Sequence, residues 1–217
     1  MKPKGKRERL KEFHRNNILE IAKNLFATKG VAQTTMDDIA KEGEYSKSTL
    51  YSYFKSKDVI FSYIVYENSL FLKEAIDSAR QRDSVKDAFM DICQAHVHFQ
   101  EKHPLYFESL IGRITEPKDG TEPIYKDIYE LNEQINQSVV EFLEDGIKRN
   151  EVKPSIDTLQ TAFVLWAGIC GLIMMAYNKQ AYLNCMNVSK EEFLANGFQT
   201  YLNSILTSKM VLKEGKP

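Results

Sequence analysis

Hydroxyl, ammonium and phenol groups cluster in the segment SKSTLYSYF at residues 46–54. Leu50 and Phe54 are four residues apart, so on a helix they share one face and pack inward. The side chains left on or near the outer surface are Lys47, Ser48, Thr49, Tyr51 and Tyr53. Lysine and serine near a helix start can reach the base edges of DNA, while threonine and tyrosine hydroxyls more often bind phosphate. This pattern indicates DNA binding.

Two short predicted helices and a turn position these side chains. Thr35 is a good N-cap for a helix over about 35–42, and Ser46 caps the next helix, which runs through Tyr53. This is the layout of a helix-turn-helix, whose second helix enters the major groove. Lys57 begins the following helix, where its ammonium and the free backbone N–H groups form a site for a DNA phosphate. A module that packs against another protein is the alternative.

The run TTMDDIAKEGEYSKSTLYSYFKSKDVIF, residues 34–61, resembles the DNA-binding signature of the TetR family. Two threonines, an I-A pair, S-K-x-T-L-Y, Y-F and K-x-K recur in that order and spacing. The resemblance implies phosphate contacts for Thr35, Tyr51 and Lys57, base or backbone contacts for Lys47, Ser48 and Thr49, and a backbone contact for Tyr53. Leu50 and Phe54 match core positions of the family.

The turn between the two short helices departs from the family pattern. The family usually has Ala-Gly-Val there, and this chain has Gly43, Glu44 and Tyr45. If Glu44 adopts the left-handed conformation, it costs about 1 kcal/mol relative to glycine. Tyr45 must then fit where valine usually packs.

Charge is divided unequally along the chain. Residues 1–60 hold 13 Lys and Arg against 8 Asp and Glu, and the remainder holds 16 against 22. Clustered positive charge at the N-terminal end favours a nucleic-acid or other anionic partner there, with a solvated basic tail as the alternative. At 217 residues the chain is long enough for two compact units. We predict a DNA-binding domain over 1–57, with a basic arm at 1–11, and a second domain over 58–217.

Helical periodicity and sparse Pro and Gly predict an all-α fold of about nine helices. Beyond the DNA-binding motif, helices are expected over about 84–102, 104–114, 123–149, 156–179 and 189–208. EKHPLYFESL and GIKRNEVKPSIDTLQTAFVLWAGICGLI resemble the family's later helix junctions, so the likeness spans most of the chain.

The TetR resemblance implies that the second domain binds an effector and forms a homodimer. Effector-pocket candidates are Phe89, Phe99, Tyr106, Phe107, Trp166 and Met174. Candidates for the dimer interface are Phe163, Ala167, Gly171, Met175, Leu194, Phe198, Tyr201 and Ile205. For each of these residues a place in the chain's own core is the alternative. A two-fold dimer also suits a palindromic operator, because its recognition helices meet successive major grooves.

Several classes of protein are not indicated. Three widely spaced cysteines and a charged start without an apolar segment predict a cytoplasmic protein. The apolar run within 159–177 is about 16 residues, short of the roughly 20 that cross a bilayer, so we expect a buried or interface helix and no membrane partner. His96, His98 and His103 do not share a helix face, so we predict neither metal nor cofactor.

Motifs of common enzyme classes, such as a Gly-rich phosphate loop, H-E-x-x-H or G-x-S-x-G, do not occur, so no enzyme is predicted. We expect a sequence-specific transcriptional regulator, a repressor released from operator DNA by a small-molecule effector. The alternative is a dimeric scaffold or enzyme-linked module whose helix-turn-helix no longer binds DNA.

Overall fold

The computed structural model describes residues 5–112, 118 and 120–210, and regular structure in that part of the chain is helical. The helices are α1 (Lys6–Lys29), α2 (Met36–Glu42), α3 (Lys47–Tyr53), α4 (Lys57–Ala79), α5 (Val85–Lys102), α6 (Pro104–Phe107), α7 (Pro123–Lys148), α8 (Thr158–Asn178), α9 (Gln180–Cys185) and α10 (Lys190–Ile205). A 3-10 helix, Glu108–Ile111, follows α6. The prediction of an all-α fold is confirmed.

The start of α1 and the extent of α6 differ most from the sequence prediction, and one further helix was not predicted. The basic arm is already helical from Lys6, because strong helix formers fill 6–12, whereas residues 1–4 lie outside the described part. The helix expected over 104–114 is the short α6 followed by the 3-10 helix, with residues 113 and 114 not described. Helix α9 was not predicted, since six residues are too few to show a helical period.

The chain divides into two compact units. The first holds the described residues up to Glu67 together with those of 116–128, and the second holds those of 68–115 and 129–210. Helix α4 contributes to both units. The first unit thus continues further along α4 than the boundary expected between residues 57 and 58.

The core of the first unit is formed by apolar side chains of its helices. Ile39, Ala40, Leu50 and Phe54 are buried, as the four-residue spacing of the last two predicted. The rings of Phe26 and Phe61 meet edge to face at 6.0 Å between centroids. The buried residues of α1 are Ile18, Leu19, Ala22 and Phe26.

The second unit is built largely from α5, α8 and α10. Helices α8 and α10 approach closely: a Cβ on Gly168 would lie 2.2 Å from Cζ of Tyr201, and one on Gly197 would lie 2.5 Å from Cδ1 of Leu172. Among the described residues, α8 is the one helix long and apolar enough to cross a membrane, a test that core helices of soluble proteins also pass. Ile169 and Ile173 of α8 face the core.

A Schellman motif ends helix α2 and leads the chain into α3. Tyr45 N–H donates to the carbonyl of Ala40 at 2.9 Å, and Glu44 N–H donates to the carbonyl of Lys41 at 3.2 Å. These bonds satisfy carbonyls at the helix end and require a left-handed residue between them. Glu44 takes that conformation, with φ at 54°.

Tyr45 explains why the turn glycine is displaced from the family position. A Cβ on Gly43 would lie 2.7 Å from Cδ2 of Tyr45 and 2.8 Å from Cδ1 of Ile21. The phenol oxygen of Tyr45 lies 3.1 Å from Nδ1 of His14 and accepts a hydrogen bond from Asn17 Nδ2 at 3.0 Å. A tyrosine at position 45 therefore requires glycine at position 43. Its hydrogen bonds also connect the turn to α1.

We predict that Glu44→Gly raises the free energy of unfolding of the first unit by about 1 kcal/mol, because glycine adopts φ > 0 without the Cβ penalty. Denaturant melts followed by circular dichroism measure the change. Glu42→Gly, two residues earlier in the right-handed helix, is the matched control and should lower stability by about 1 kcal/mol. A loss of stability with Glu44→Gly would contradict the assigned conformation.

Gly43→Ala should lower the same free energy by about 1–3 kcal/mol, because the new methyl group overpacks the contact with Tyr45. Adding Tyr45→Val to that variant should recover part of the loss by making room for the methyl group. Equal stability of the Gly43→Ala single variant and the native chain in the same melts would disprove the packing argument.

Candidate functional site

The N-terminal end of α3 presents a compact group of hydroxyls. Ser46 caps the helix, accepting a hydrogen bond from the backbone N–H of Thr49 at 3.1 Å. Its Oγ also lies 2.9 Å from Ser48 Oγ and 2.7 Å from Thr49 Oγ1. All three side chains are exposed. The structure therefore brings Ser48 and Thr49 together on one outer surface, held by the cap.

Lys47 lies beside this group and is paired with a carboxylate. Its Nζ is 2.6 Å from Oδ2 of Asp37 on α2, and this pairing raises the pKa of Lys47. Both side chains are well exposed, so the ion pair contributes little to stability. Lys47 can thus exchange Asp37 for a phosphate or a guanine acceptor at small cost.

The two tyrosines of α3 occupy different surroundings. Tyr51 is 50% exposed, and its phenol is open to a partner. Tyr53 is half-buried, with its ring 6.3 Å from that of His14 on α1. Because His14 also contacts Tyr45, α1 supports both ends of α3.

Thr35 caps α2, as the sequence predicted. Its hydroxyl donates to Oδ2 of Asp38 at 2.7 Å and accepts from the backbone N–H of Asp38 at 3.1 Å, forming a capping box. Lys29 binds the same carboxylate at 2.7 Å. Hydrogen bonds from Lys29 and then Thr35 hold the pKa of Asp38 far below its usual range. The hydroxyl hydrogen of Thr35 is therefore committed to the cap rather than to a phosphate.

Lys57 is also partly engaged within the protein. Its Nζ donates to the carbonyl of Val31 at 2.6 Å and to that of Ala32 at 3.3 Å. These bonds fix the segment between α1 and α2. An ammonium has three donors, so one N–H remains for a phosphate.

The second unit contains a small apolar cavity of about 10 Å³. Its lining residues come from α5, α7 and α8: Phe89, Ile92, His96, Val139, Phe142, Leu165, Trp166 and Ile169. Two pocket candidates, Phe89 and Trp166, are among them. Phe99, Tyr106 and Phe107 are buried and Met174 is half-buried, but none of the four lines this cavity.

His96 is a lining residue that sequence reasoning missed, since histidine was weighed only as a metal ligand. It is buried, and its Nδ1 lies 2.8 Å from the carbonyl of Ile92. Trp166 meets it edge to face at 5.0 Å and donates its indole N–H to the carbonyl of Leu110 at 3.0 Å. A histidine one helical turn after an apolar residue on the core face was the available signal.

Some of the proposed interface residues are exposed, whereas others are buried. On α8, Phe163 and Met175 are about half exposed, Ala167 is exposed, and Gly171 has open space beside it. Their exposed neighbours on that helix include Leu159 and Val164. These residues form an apolar stripe, which we call the α8 stripe.

The α10 part of the expected interface needs correction. Leu194, Phe198 and Ile205 are buried within the second unit, so they are unavailable to another chain. Tyr201 is half-buried with its ring against Gly168. The apolar period of α10 therefore serves the core of the chain itself.

Comparison with known proteins places these features in a family. Residues 18–64 match the model of bacterial regulatory proteins of the tetR family. The HTH-type transcriptional regulator YhgD of Bacillus subtilis (strain 168) is 29% identical over 153 residues, which cover 68% of this chain and 76% of YhgD. The negative regulator IcaR of the biofilm operon icaADBC in Staphylococcus aureus is 23% identical, with 70% of this chain and 79% of IcaR covered.

Solved structures agree with this likeness. The TetR family regulator PfmR from Thermus thermophilus superposes with a TM-score of 0.56 at 25% identity, covering 72% of this chain and 84% of PfmR. The matched region, 18–64, contains the capped helices α2 and α3 and the start of α4. Residues 18–64 of the chain therefore match the tetR family of bacterial regulatory proteins, and most of the chain is similar to HTH-type transcriptional regulators.

Proposed function

We propose that this protein is a cytoplasmic repressor that binds a palindromic operator as a homodimer and is released by a small-molecule effector. The observation that carries the proposal is the exposed polar face of α3, with Lys47, Ser48, Thr49 and Tyr51 on a helix whose other face is buried. A buried apolar face and an open polar face fit a helix that lies in the major groove. The match of residues 18–64 to the tetR family supports DNA binding, and IcaR supplies a relative that is a negative regulator.

In the bound state, the start of α3 faces the base edges. Lys47 leaves Asp37 and donates to guanine acceptors or phosphate, and the short hydroxyl side chains of Ser48 and Thr49 allow close approach. Tyr51 and the third N–H of Lys57 contact the phosphate backbone. Thr35 acts indirectly, through the cap that fixes α2.

The α8 stripe supports a homodimer as the DNA-binding form. Exposed apolar residues in a contiguous stripe favour a protein interface, and two-fold symmetry brings the same stripe of each copy together. Gly171 allows the two helices to approach closely. Two recognition helices about 34 Å apart then meet successive major grooves.

Release by an effector follows from population shift. An effector that binds better to the conformation with badly spaced recognition helices lowers operator affinity by that difference in binding free energy. The cavity of the second unit is the proposed binding site, because it is apolar and is lined by aromatic rings.

Selection of bound duplexes from a random DNA pool tests DNA recognition. We expect enrichment of a palindrome whose half-sites lie about one helical turn apart. The double variant Lys47→Ala, Tyr51→Ala should lose about a hundredfold in affinity for that duplex, because base and phosphate contacts are removed in both subunits.

Lys102→Ala is the matched control, since it removes one exposed lysine at the end of α5 in the second unit. It should leave the enriched sequence and its affinity unchanged. Absence of any enriched sequence at low salt would favour the dimeric scaffold instead.

Phe163→Asp should convert the protein to a monomer and weaken operator binding, because a charge on the α8 stripe would be buried in the interface. Sedimentation velocity measures the mass. Leu70→Asp, at an exposed apolar site on α4, is the control and should remain dimeric. A dimer that persists in Phe163→Asp at micromolar concentration would place the interface elsewhere.

A further inference from the structure

The lining of the cavity in the second unit includes a polar atom that the described part of the chain does not satisfy. His96 Nε2 is buried and has no hydrogen-bond partner among the described residues. Leaving a buried polar atom unpaired is unfavourable, so an unpaired nitrogen in a binding cavity points to a ligand group that pairs with it.

The tautomer of His96 follows from its other nitrogen. A carbonyl oxygen can only accept, so Nδ1, 2.8 Å from the carbonyl of Ile92, must carry the ring hydrogen. Burial lowers the pKa of His96 to about 4, so the ring is neutral at physiological pH. Nε2 therefore has a free lone pair and acts as a hydrogen-bond acceptor.

The rest of the lining restricts the kind of molecule that can reach Nε2. None of the other lining side chains is charged, and burying an unpaired charge among them is costly. Three of the lining side chains are aromatic, those of Phe89, Phe142 and Trp166, and such rings favour a flat aromatic partner.

We propose that His96 Nε2 accepts a hydrogen bond from the effector, so that the cavity selects uncharged aromatic molecules with one hydroxyl or amine hydrogen, such as phenols. This inference rests on the proposed function for the identity of the ligand as an effector. The site itself is defined by the cavity and by His96.

Trp166 is the side chain that must move to admit such a molecule. At about 10 Å³ the cavity has room for about one water molecule, so an aromatic ring can enter only if a lining side chain moves. Trp166 is the one half-buried residue of the lining, and the others are buried. Its displacement would strain or break the hydrogen bond to Leu110. Ligand binding is thereby coupled to the 3-10 helix after α6.

Trp166 is also the sole tryptophan of the chain, so its fluorescence reports on the cavity directly. Titrations of the full chain without DNA compare phenol, anisole and toluene. We expect phenol to bind about fivefold to tenfold more tightly than the other two, because only phenol donates a hydrogen bond. Equal affinities, or tighter binding of toluene, would overturn the proposal and leave a single water molecule as the partner of His96.

His96→Phe removes the acceptor and keeps an aromatic ring at the position. In this variant toluene should bind as tightly as phenol or more so, whereas Ile169→Val, which only enlarges the cavity, should keep the preference for phenol. If His96→Phe does not fold, the comparison of phenol with anisole on the native chain tests the proposal by itself.

These titrations contain no DNA. A negative result would therefore count against the hydrogen bond to His96 but not against operator binding. A protein that fails to bind an operator could still show the preference for phenol.

Discussion

The position of the recognition helix depends on how Tyr45 packs between α1 and the turn before α3. Its ring occupies the space above Gly43, and its phenol oxygen is held by His14 and Asn17. These contacts set the direction in which the chain leaves α2, and the buried Leu50 then fixes the rotation of α3. This arrangement requires Glu44 to adopt a left-handed backbone conformation, which is unfavourable for a residue with a Cβ atom. Packing of one aromatic ring therefore governs which side chains of α3 are exposed.

The surface of α3 combines strong local order with weak competing contacts. Caps at both short helices order the backbone, while the exposed pair of Lys47 and Asp37 is easily exchanged. Thr35 holds the cap of α2, and Lys57 binds a carbonyl between α1 and α2 while keeping one N–H for a phosphate. A change at either residue is therefore expected to alter stability and DNA binding together. Lys47 and Tyr51 separate the two effects better because their side chains are exposed.

Much of the fold could be predicted because its signals are local. Caps at Thr35 and Ser46 and the spacing of Leu50 and Phe54 mark the DNA-binding module without reference to distant residues. The role of the apolar residues of α10 was harder to predict, because an apolar period alone cannot distinguish the core of one chain from an interface between two. His96 was missed for a related reason. Its significance lies in an unpaired nitrogen, and only the packing of three helices shows that.

Binding of α3 to the phosphate backbone and bases of duplex DNA would make the affinity depend steeply on salt concentration, and this dependence can be measured directly. With about eight phosphate contacts per dimer, a plot of the logarithm of the association constant against the logarithm of the salt concentration should have a slope of about −7. The double variant at Lys47 and Tyr51 should give a clearly shallower slope, whereas Lys102→Ala should keep it. A slope near zero, or the same slope for the native chain and the double variant, would contradict DNA binding through α3.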